Sequence, residues 1–271
     1  MKLHPKYTFS NNRQIWRIIP GGEGQLVIEE RDPSSKEVFF SSIDMNTGAV
    51  ILDSYQFEEK FWIGIEDVYR GVIFFHKYNK PDMPGHSDII AFDINTRKEL
   101  WHSDKYLFSL VYDNHVYCYR NEFEGRKYFK LNYITGELVS NLGDDIKLIS
   151  ELKELRNAET YKGYTFPNIL SQSNKEIIEV FEELRTHESL TDKIDFVITN
   201  NLLLTSYHRI ISEGKFQNCF KALDIRQKKV IFEEILNKEI INLIPDSFFL
   251  INDLIFLLKE KEKLIVFLIT D

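Results

Sequence analysis

The sequence predicts an all-β fold, on three observations. Aromatic and β-branched runs of five to seven residues are bounded by Gly, Asn and Asp, tight turns recur at a near-constant spacing, and a second turn phrase keeps step with the first. Aromatic residues make up 14% of the chain, with 21 Phe, 13 Tyr and 3 Trp. Such side chains suit a pleated, half-buried surface.

The tight turns are Gly22–Gly24, Arg70–Gly71, Asp113–Asn114, Lys162–Gly163, Asn200–Asn201 and Asn252–Asp253, each between two apolar runs. Asn, Asp and Gly tolerate the positive φ that two-residue hairpin turns require. The turns are centred near residues 23, 70, 113, 162, 200 and 252 and so recur about every 46 residues. The second phrase is an apolar strand ending in Asp or Asn, a polar turn and another short strand. It stands at Ser42–Gly48 around Asp44, at Ala91–Arg97 around Asp93, at Lys130–Gly136 around Asn132 and at Ala222–Lys228 around Asp224.

Four short strands per repeat, several times over, is the sequence form of a β-propeller. The expectation is a single domain over residues 1–271, a β-propeller of about six blades. Two departures are expected. After Tyr164–Phe166 the fourth repeat lacks its outer strands; Ile177, Val180, Phe181 and Leu184, with glutamates between them, instead form an amphipathic helix near 173–187 that patches the incomplete blade. A second, shorter helix is expected at Ile149–Arg156. The chain ends at Phe267–Asp271, where an outer strand should begin, so the N-terminal segment Tyr7–Ser10 is expected to complete the last blade and close the ring.

Composition narrows the function classes. The chain carries 34 Lys and Arg against 42 Asp and Glu, a net charge of −8, and this balance argues against binding a phosphate backbone. The longest apolar runs, such as Leu254–Leu258, are far short of the roughly 20 residues of a membrane-spanning helix. Met1–Ser10 has no apolar core, so no signal peptide is expected. Cys118 and Cys219 sit in apolar or aromatic stretches and read as reduced, partly buried thiols. Together these features suggest a cytoplasmic protein with neither nucleic-acid nor membrane partners.

At Ala91-Phe92-Asp93-Ile94-Asn95-Thr96-Arg97-Lys98-Glu99-Leu100-Trp101 the sequence resembles the repeat of the quinoprotein (PQQ-like) propellers, Ala-x-Asp-x-x-Thr-Gly-Lys-x-x-Trp, with Arg97 in place of Gly. The copy at 42–50 keeps Asp44, Thr47 and Gly48 but has Leu52 where Trp would sit. The phrase is a packing signature and implies fold, not cofactor. Quinone-binding members sandwich the cofactor on Trp and often use adjacent cysteines with a calcium site; this chain has no adjacent cysteines, and no cofactor is expected. The chain also resembles a bacterial family of unknown function. The matching stretches are Glu29–Asp32, Phe61–Gly64 through Tyr69–Val72, His76-x-Tyr78, Pro84-x-His86 and the tail from Asp246-Ser247-Phe248-Phe249. That resemblance raises the expectation of fold and implies no activity.

The candidate ligand-binding residues are Glu30, Arg31, Asp32, Trp62, His76 and His86. A polar strand end at Glu29–Asp32 is unusual in an apolar repeat; alternation puts Glu30 and Asp32 on one face, Glu29 and Arg31 on the other. It reads as a binding edge, with ion pairing around Arg31 as the plainer alternative. His76 ends the equivalent strand of the second repeat and His86 lies across the loop 77–87, so 30–32 and 76 are expected to converge at one face. Two histidines and a carboxylate suit zinc, but His-x9-His is not a specific ligand spacing, and no metal is expected. Trp16 and Trp62 hold equivalent places on inner strands, where packing between blades is expected and ligand stacking is the alternative. No Gly-x-Ser-x-Gly, P-loop, Gly-x-Gly-x-x-Gly or Cys-x-x-Cys occurs. The function expected is a non-catalytic scaffold that binds a protein or small ligand at one face. The alternative is a hydrolase or lyase whose acidic and histidine residues converge there.

Overall fold

The computed structural model describes residues 1–80, 83–170 and 190–270. Among them the chain forms five antiparallel sheets and one helix. It divides into two compact units, Arg13–Lys162 and Met1–Asn12 with Gly163–Asp271.

After β1 (Lys2–Phe9), which belongs to the second of these units, residues 13–162 carry three four-stranded sheets, each in sequence order. The first is β2 (Gln14–Gly22), β3 (Gln25–Arg31), β4 (Val38–Asp44) and β5 (Val50–Tyr55); the second is β6 (Ile63–Tyr69), β7 (Val72–Lys80), β8 (Met83–Asp93) and β9 (Lys98–Ser103). The third is β10 (Leu107–Tyr112), β11 (His115–Glu122), β12 (Gly125–Asn132) and β13 (Leu138–Gly143), followed by α1 (Ile146–Thr160). Consecutive sheets pack through large apolar side chains. Val27, Phe40 and Leu52 meet Ile63, Phe75 and Phe92 in one core. On the other side of the second sheet, Phe74 and Ala91 join Val111, Val116 and Phe129. Phe40 and Phe75 meet edge to face at 4.6 Å, the geometry that aromatic quadrupoles favour.

In the other unit follow β14 (Tyr164–Thr165), β15 (Asn168–Ile169), β16 (Leu190–Thr199), β17 (Leu202–Ser212), β18 (Lys215–Asp224) and β19 (Lys229–Ile240), then β20 (Phe248–Ile251), β21 (Leu254–Lys259) and β22 (Lys263–Thr270). One sheet has the order β15-β16-β17-β18-β19, the other β1-β22-β21-β20-β14. The N-terminal strand therefore pairs with the C-terminal one, from Lys2 opposite Thr270 to Phe9 opposite Leu264. The longer strand absorbs the expected Tyr7–Ser10 pairing and covers an edge that would otherwise be open.

The two turn phrases have a physical basis. Arg70 and Gly71 have φ of 47° and 77°, Asp113 and Asn114 of 46° and 61°, and Asn200 and Asn201 of 45° and 71°, the conformation whose twist matches a two-residue hairpin. In the second phrase the Asp or Asn side chain accepts backbone N–H groups two and three residues on: Asp44 from Asn46 and Thr47, Asp93 from Asn95 and Thr96, and Asn132 from Ile134 and Thr135. The residue after it then donates its N–H to the first turn of the same sheet. These bonds run from Met45 to Gly24, Ile94 to Gly71, Tyr133 to Asn114 and Ile225 to Asn201, and Ile269 to Asp253 continues the pattern. The two turns of each repeat are thus locked together, which is why they recur in phase.

Two expectations require correction. The fourth repeat founds no sheet of its own among the described residues. Lys162–Gly163 follows α1 instead of closing a hairpin, β14 pairs with β20 and β15 with β16. Two-residue strands bury too little to stand alone and extend existing sheets instead. Among the described residues the strands form five sheets. The shorter helix expected at Ile149–Arg156 is α1, capped by Asp145 accepting from the Leu148 N–H and laid by Ile149 against Leu110, Tyr117 and Tyr128. The helix expected near 173–187 lies outside the described residues. Trp16 and Trp62 are not core: they are 57% and 40% exposed. A β-bulge between Ile15 and Arg17 leaves Trp16 without a cross-strand partner, so its side chain leaves the alternation that would have buried it. Trp62 precedes β6. Cys118 and Cys219 are buried thiols with no disulfide between them. No helix among the described residues is long and apolar enough to cross a membrane.

Candidate functional site

The site is built on the second sheet of the unit 13–162. Between β6 and β7 the hairpin pairs Tyr69 with Val72, Val68 with Ile73 and Asp67 with Phe74, and then slips by one: Ile65 pairs with Phe75 and Gly64 with His76. Glu66 is the extra residue of this bulge. The slip sets Gly64, Glu66 and His76 on one face, and pairing of Tyr78 with His86 across β7 and β8 adds both of those side chains to the same face.

Three ionisable side chains meet there. Glu66 Oε1 lies 2.7 Å from His86 Nδ1 and 3.3 Å from His76 Nδ1. The two imidazoles stack in parallel, with ring centroids 3.5 Å apart and planes at 6°. Tyr78 stands edge-on to both, and Trp62 packs edge-on against Tyr78 at 6.2 Å. The His76 ring has room because residue 64 is glycine. A Cβ there would sit 2.9 Å from His76 Cε1 and 3.0 Å from Nε2, closer than carbon atoms pack.

Burial and charge are uneven across the cluster. The His76 side chain is 2% exposed, that of Glu66 16% and that of His86 42%. Nε2 of His76 has no hydrogen-bond partner among the described residues, and Nδ1 has only the long contact to Glu66; an orphaned buried group costs roughly 1–3 kcal/mol. Burial pushes the Glu66 carboxyl up, but the hydrogen bonds and positive charge of His76 and His86 outweigh it and hold the group below the usual carboxylate range. His86 and Glu66 also line a cleft of about 370 Å³ between the second and third sheets, with Asn79, Tyr119 and Asn121 on its walls. Two imidazole nitrogens and a carboxylate oxygen, each with one donor atom within 4.8 Å of the others, are a donor set suited to a late first-row divalent metal or to a hydrogen-bonding ligand.

The expected residues separate into two places. His76 and His86 come together, and Trp62 abuts them through Tyr78. The cluster's third member is Glu66, not Glu30 or Asp32. Glu30 is buried and accepts from the Ser41 hydroxyl at 2.7 Å. Asp32 caps its own turn, accepting from the Ser34 and Ser35 N–H groups and the Ser34 hydroxyl; the hydroxyl and these N–H groups pull its carboxyl down to about 2. Arg31 pairs with Glu29 at 3.0 Å and lies over the Trp16 ring at 4.6 Å. The 29–32 strand end is thus a local ion-pair and turn network. Of the acids near the histidines, Asp88 pairs instead with His102 and Lys77.

A second buried charge pair lies beside the site on the same bulge. Arg156 of α1 donates through Nε and Nη2 to Asp67 at 3.2 and 3.0 Å and to the Val68 carbonyl at 2.6 Å. Burial raises the Asp67 carboxyl, with Arg156 opposing. Sequence reasoning missed both Glu66 and Asp67, although each carboxylate stands on an otherwise apolar strand.

No curated protein matches the sequence. Among solved structures, a europium-containing methanol dehydrogenase aligns at 14% identity over 86% of this chain and 44% of its own, with a TM-score of 0.31. The β-propeller domain of the Trilobed protease from Pyrococcus furiosus aligns at 9% identity over 92% of this chain and 64% of its own, with a TM-score of 0.33. The chain spans less than two thirds of either structure. Residues 19–101, the stretch that carries Glu66, His76 and His86, match a domain of unknown function (DUF4905).

Proposed function

We propose that this chain is a non-catalytic scaffold of β-propeller type that holds a small polar ligand in the cleft beside Glu66 and His86. The observation that carries this reading is the cluster itself: a buried imidazole with Nε2 unsatisfied and Nδ1 at 3.3 Å from a carboxylate, beside an exposed imidazole at a cleft mouth. Buried polar groups are satisfied in folded proteins, so an orphaned nitrogen in a cluster at a cleft points to an occupant. About 370 Å³ suits a small molecule rather than a protein segment. The propeller ring is part of the same reading, supported by the turn-to-turn hydrogen bonds repeated from sheet to sheet and by the pairing of the two chain ends. In the hydrolase or lyase alternative, with acidic and histidine residues converging at one face, Glu30 and Asp32 are engaged elsewhere and the acid beside the histidines is Glu66.

The test is thermal unfolding of the full chain against a panel of sugars, amino acids and short dicarboxylic acids. A ligand at a hundred times its Kd stabilises by about 2.7 kcal/mol. At least one class is expected to raise the melting temperature of the wild type and to lose this effect in Asn121→Trp, which fills the cleft. A panel without effect, together with no co-purified small molecule by native mass spectrometry, would sink the reading, as would equal stabilisation of both proteins.

A further inference from the structure

We infer that Glu66, His76 and His86 bind one late first-row divalent metal ion, of the zinc class, with its remaining coordination position open to the cleft. This rests on the cleft being a ligand site and deepens that reading by naming what anchors the ligand there. The donor set comes first. Two neutral imidazoles and one carboxylate discriminate against calcium and magnesium, which take oxygen, and in favour of zinc and its neighbours. Three protein donors with one open position is the arrangement of zinc sites that take an exogenous ligand, whereas structural sites close all four.

Geometry and burial support it independently. His76 is held from below by the glycine at 64 and from the side by Tyr78, so its ring is preset. Both of its nitrogens are buried, Nε2 without a partner among the described residues and Nδ1 with only the long contact to Glu66; a metal bond satisfies one of them. Glu66 Oε1 is already within 3.3 Å of His76 Nδ1 and 2.7 Å of His86 Nδ1, spacings close to the roughly 3.3 Å between donor atoms around tetrahedral zinc with bonds of about 2.0–2.1 Å. One rearrangement is required. Two parallel imidazoles 3.5 Å apart cannot both aim an in-plane lone pair at a single ion. His86 is the exposed ring and swings off the stack, while the buried His76 stays.

The test uses the full chain, stripped with a chelator and titrated with Co²⁺ and then Zn²⁺. The expected result is one equivalent of Co²⁺ with the visible absorption of a low-coordinate nitrogen and oxygen site, displaced by Zn²⁺. His86→Ala and Glu66→Gln are each expected to weaken Zn²⁺ binding by at least about tenfold. Removing the exposed His86 ring leaves the core intact, and circular dichroism checks that the variant is folded. His102→Ala, which breaks the separate pair with Asp88, is expected to bind as the wild type does. A folded wild type that takes up neither ion overturns the inference, and so does unchanged affinity in both ligand variants. The two readings fail separately: absent metal uptake with a small acid still stabilising the cleft removes the metal alone, and metal uptake with a silent ligand panel removes the cleft ligand alone.

Discussion

Replacing Arg156 with alanine tests how α1 is held to the second sheet. Arg156 is 8% exposed, and its guanidinium makes two hydrogen bonds to the Asp67 carboxylate and one to the Val68 carbonyl, with Cζ 5.1 Å from the centroid of the Tyr69 ring. Removing it leaves a mostly buried carboxylate without its counter-charge, and breaking one partner of a buried pair costs about 3–5 kcal/mol. For a unit of this size that lowers the melting temperature by roughly 6–20 °C. The pH dependence gives the sharper signature. The folded-state pKa of Asp67 is already raised by burial, with Arg156 pulling the other way. Without Arg156 it rises further. A carboxyl raised above its unfolded value favours folding while protonated, and that contribution is lost as pH rises through the folded pKa. The deficit of Arg156→Ala should therefore be largest at about pH 7 and shrink on acidification, as Asp67 takes up a proton. Urea unfolding of wild type, Arg156→Ala, Asp67→Asn and the double variant measures both the size and the coupling. A loss below about 1 kcal/mol, or a deficit independent of pH, would refute the assignment of a buried, mutually dependent pair.

Three further outcomes follow from the same structure. Phe9 is 5% exposed and seats β1 on β22, so Phe9→Ala should cost about 3–5 kcal/mol in chemical denaturation; a variant within about 1 kcal/mol of wild type would mean that β1 is dispensable. Burial pushes the Cys118 thiol up to about 12, so Ellman's reagent at mildly alkaline pH should leave it unmodified until denaturant is added, and labelling at the rate of a free thiol would contradict this. Asp32, held down to about 2 by the Ser34 hydroxyl and the Ser35 and Ser34 N–H groups, should remain ionised at about pH 3 in a carboxyl NMR titration, where an unperturbed Asp is mostly protonated. Being depressed, it contributes stability above the unfolded pKa that fades as pH falls through its folded one. Ser34→Ala should move its titration upward; an unshifted midpoint would rule out the hydroxyl as a cause.

The repeat was readable because its markers are local. Asp44, Asp93 and Asn132 hold their own turns, and the hydrogen bond from the next residue to the first turn of the same sheet ties spacing to structure. Trp101 of the quinoprotein-like phrase illustrates the same economy. Its indole N–H donates to the Tyr133 carbonyl of the third sheet at 3.0 Å. A Cβ at Gly136, whose φ is 69°, would lie 2.6 Å from its ring, so the glycine of one repeat accommodates the tryptophan of the repeat before it. The fourth repeat was misread because its turn signal, Lys162–Gly163, is genuine: Gly163 has a φ of 82°. A positive-φ glycine ends a helix as readily as it joins two strands, and only tertiary pairing decides between them.

The site was half readable, and one residue accounts for the missing half. Counted from the Arg70–Gly71 turn without interruption, the hairpin pairs Glu66 with Phe75 and Ile65 with His76, which places Glu66 and His76 on opposite faces. The bulge at Glu66 shifts the pairing to Gly64 with His76 and reverses that relation. The sequence does carry hints of the shift. Adjacent carboxylates at Glu66 and Asp67 cannot both face an apolar core, and a glycine at 64 weakens a strand unless something must approach closely. Here what approaches is the His76 ring. The bulge also gives the two acids different roles. Asp67 turns to Arg156 and fixes α1, while Glu66 faces the histidines. A carboxylate that anchors structure and one that meets the cleft are thus made from neighbouring residues by a single extra backbone position, and restoring regular register would turn Glu66 away from His76 while leaving Asp67 opposite Phe74.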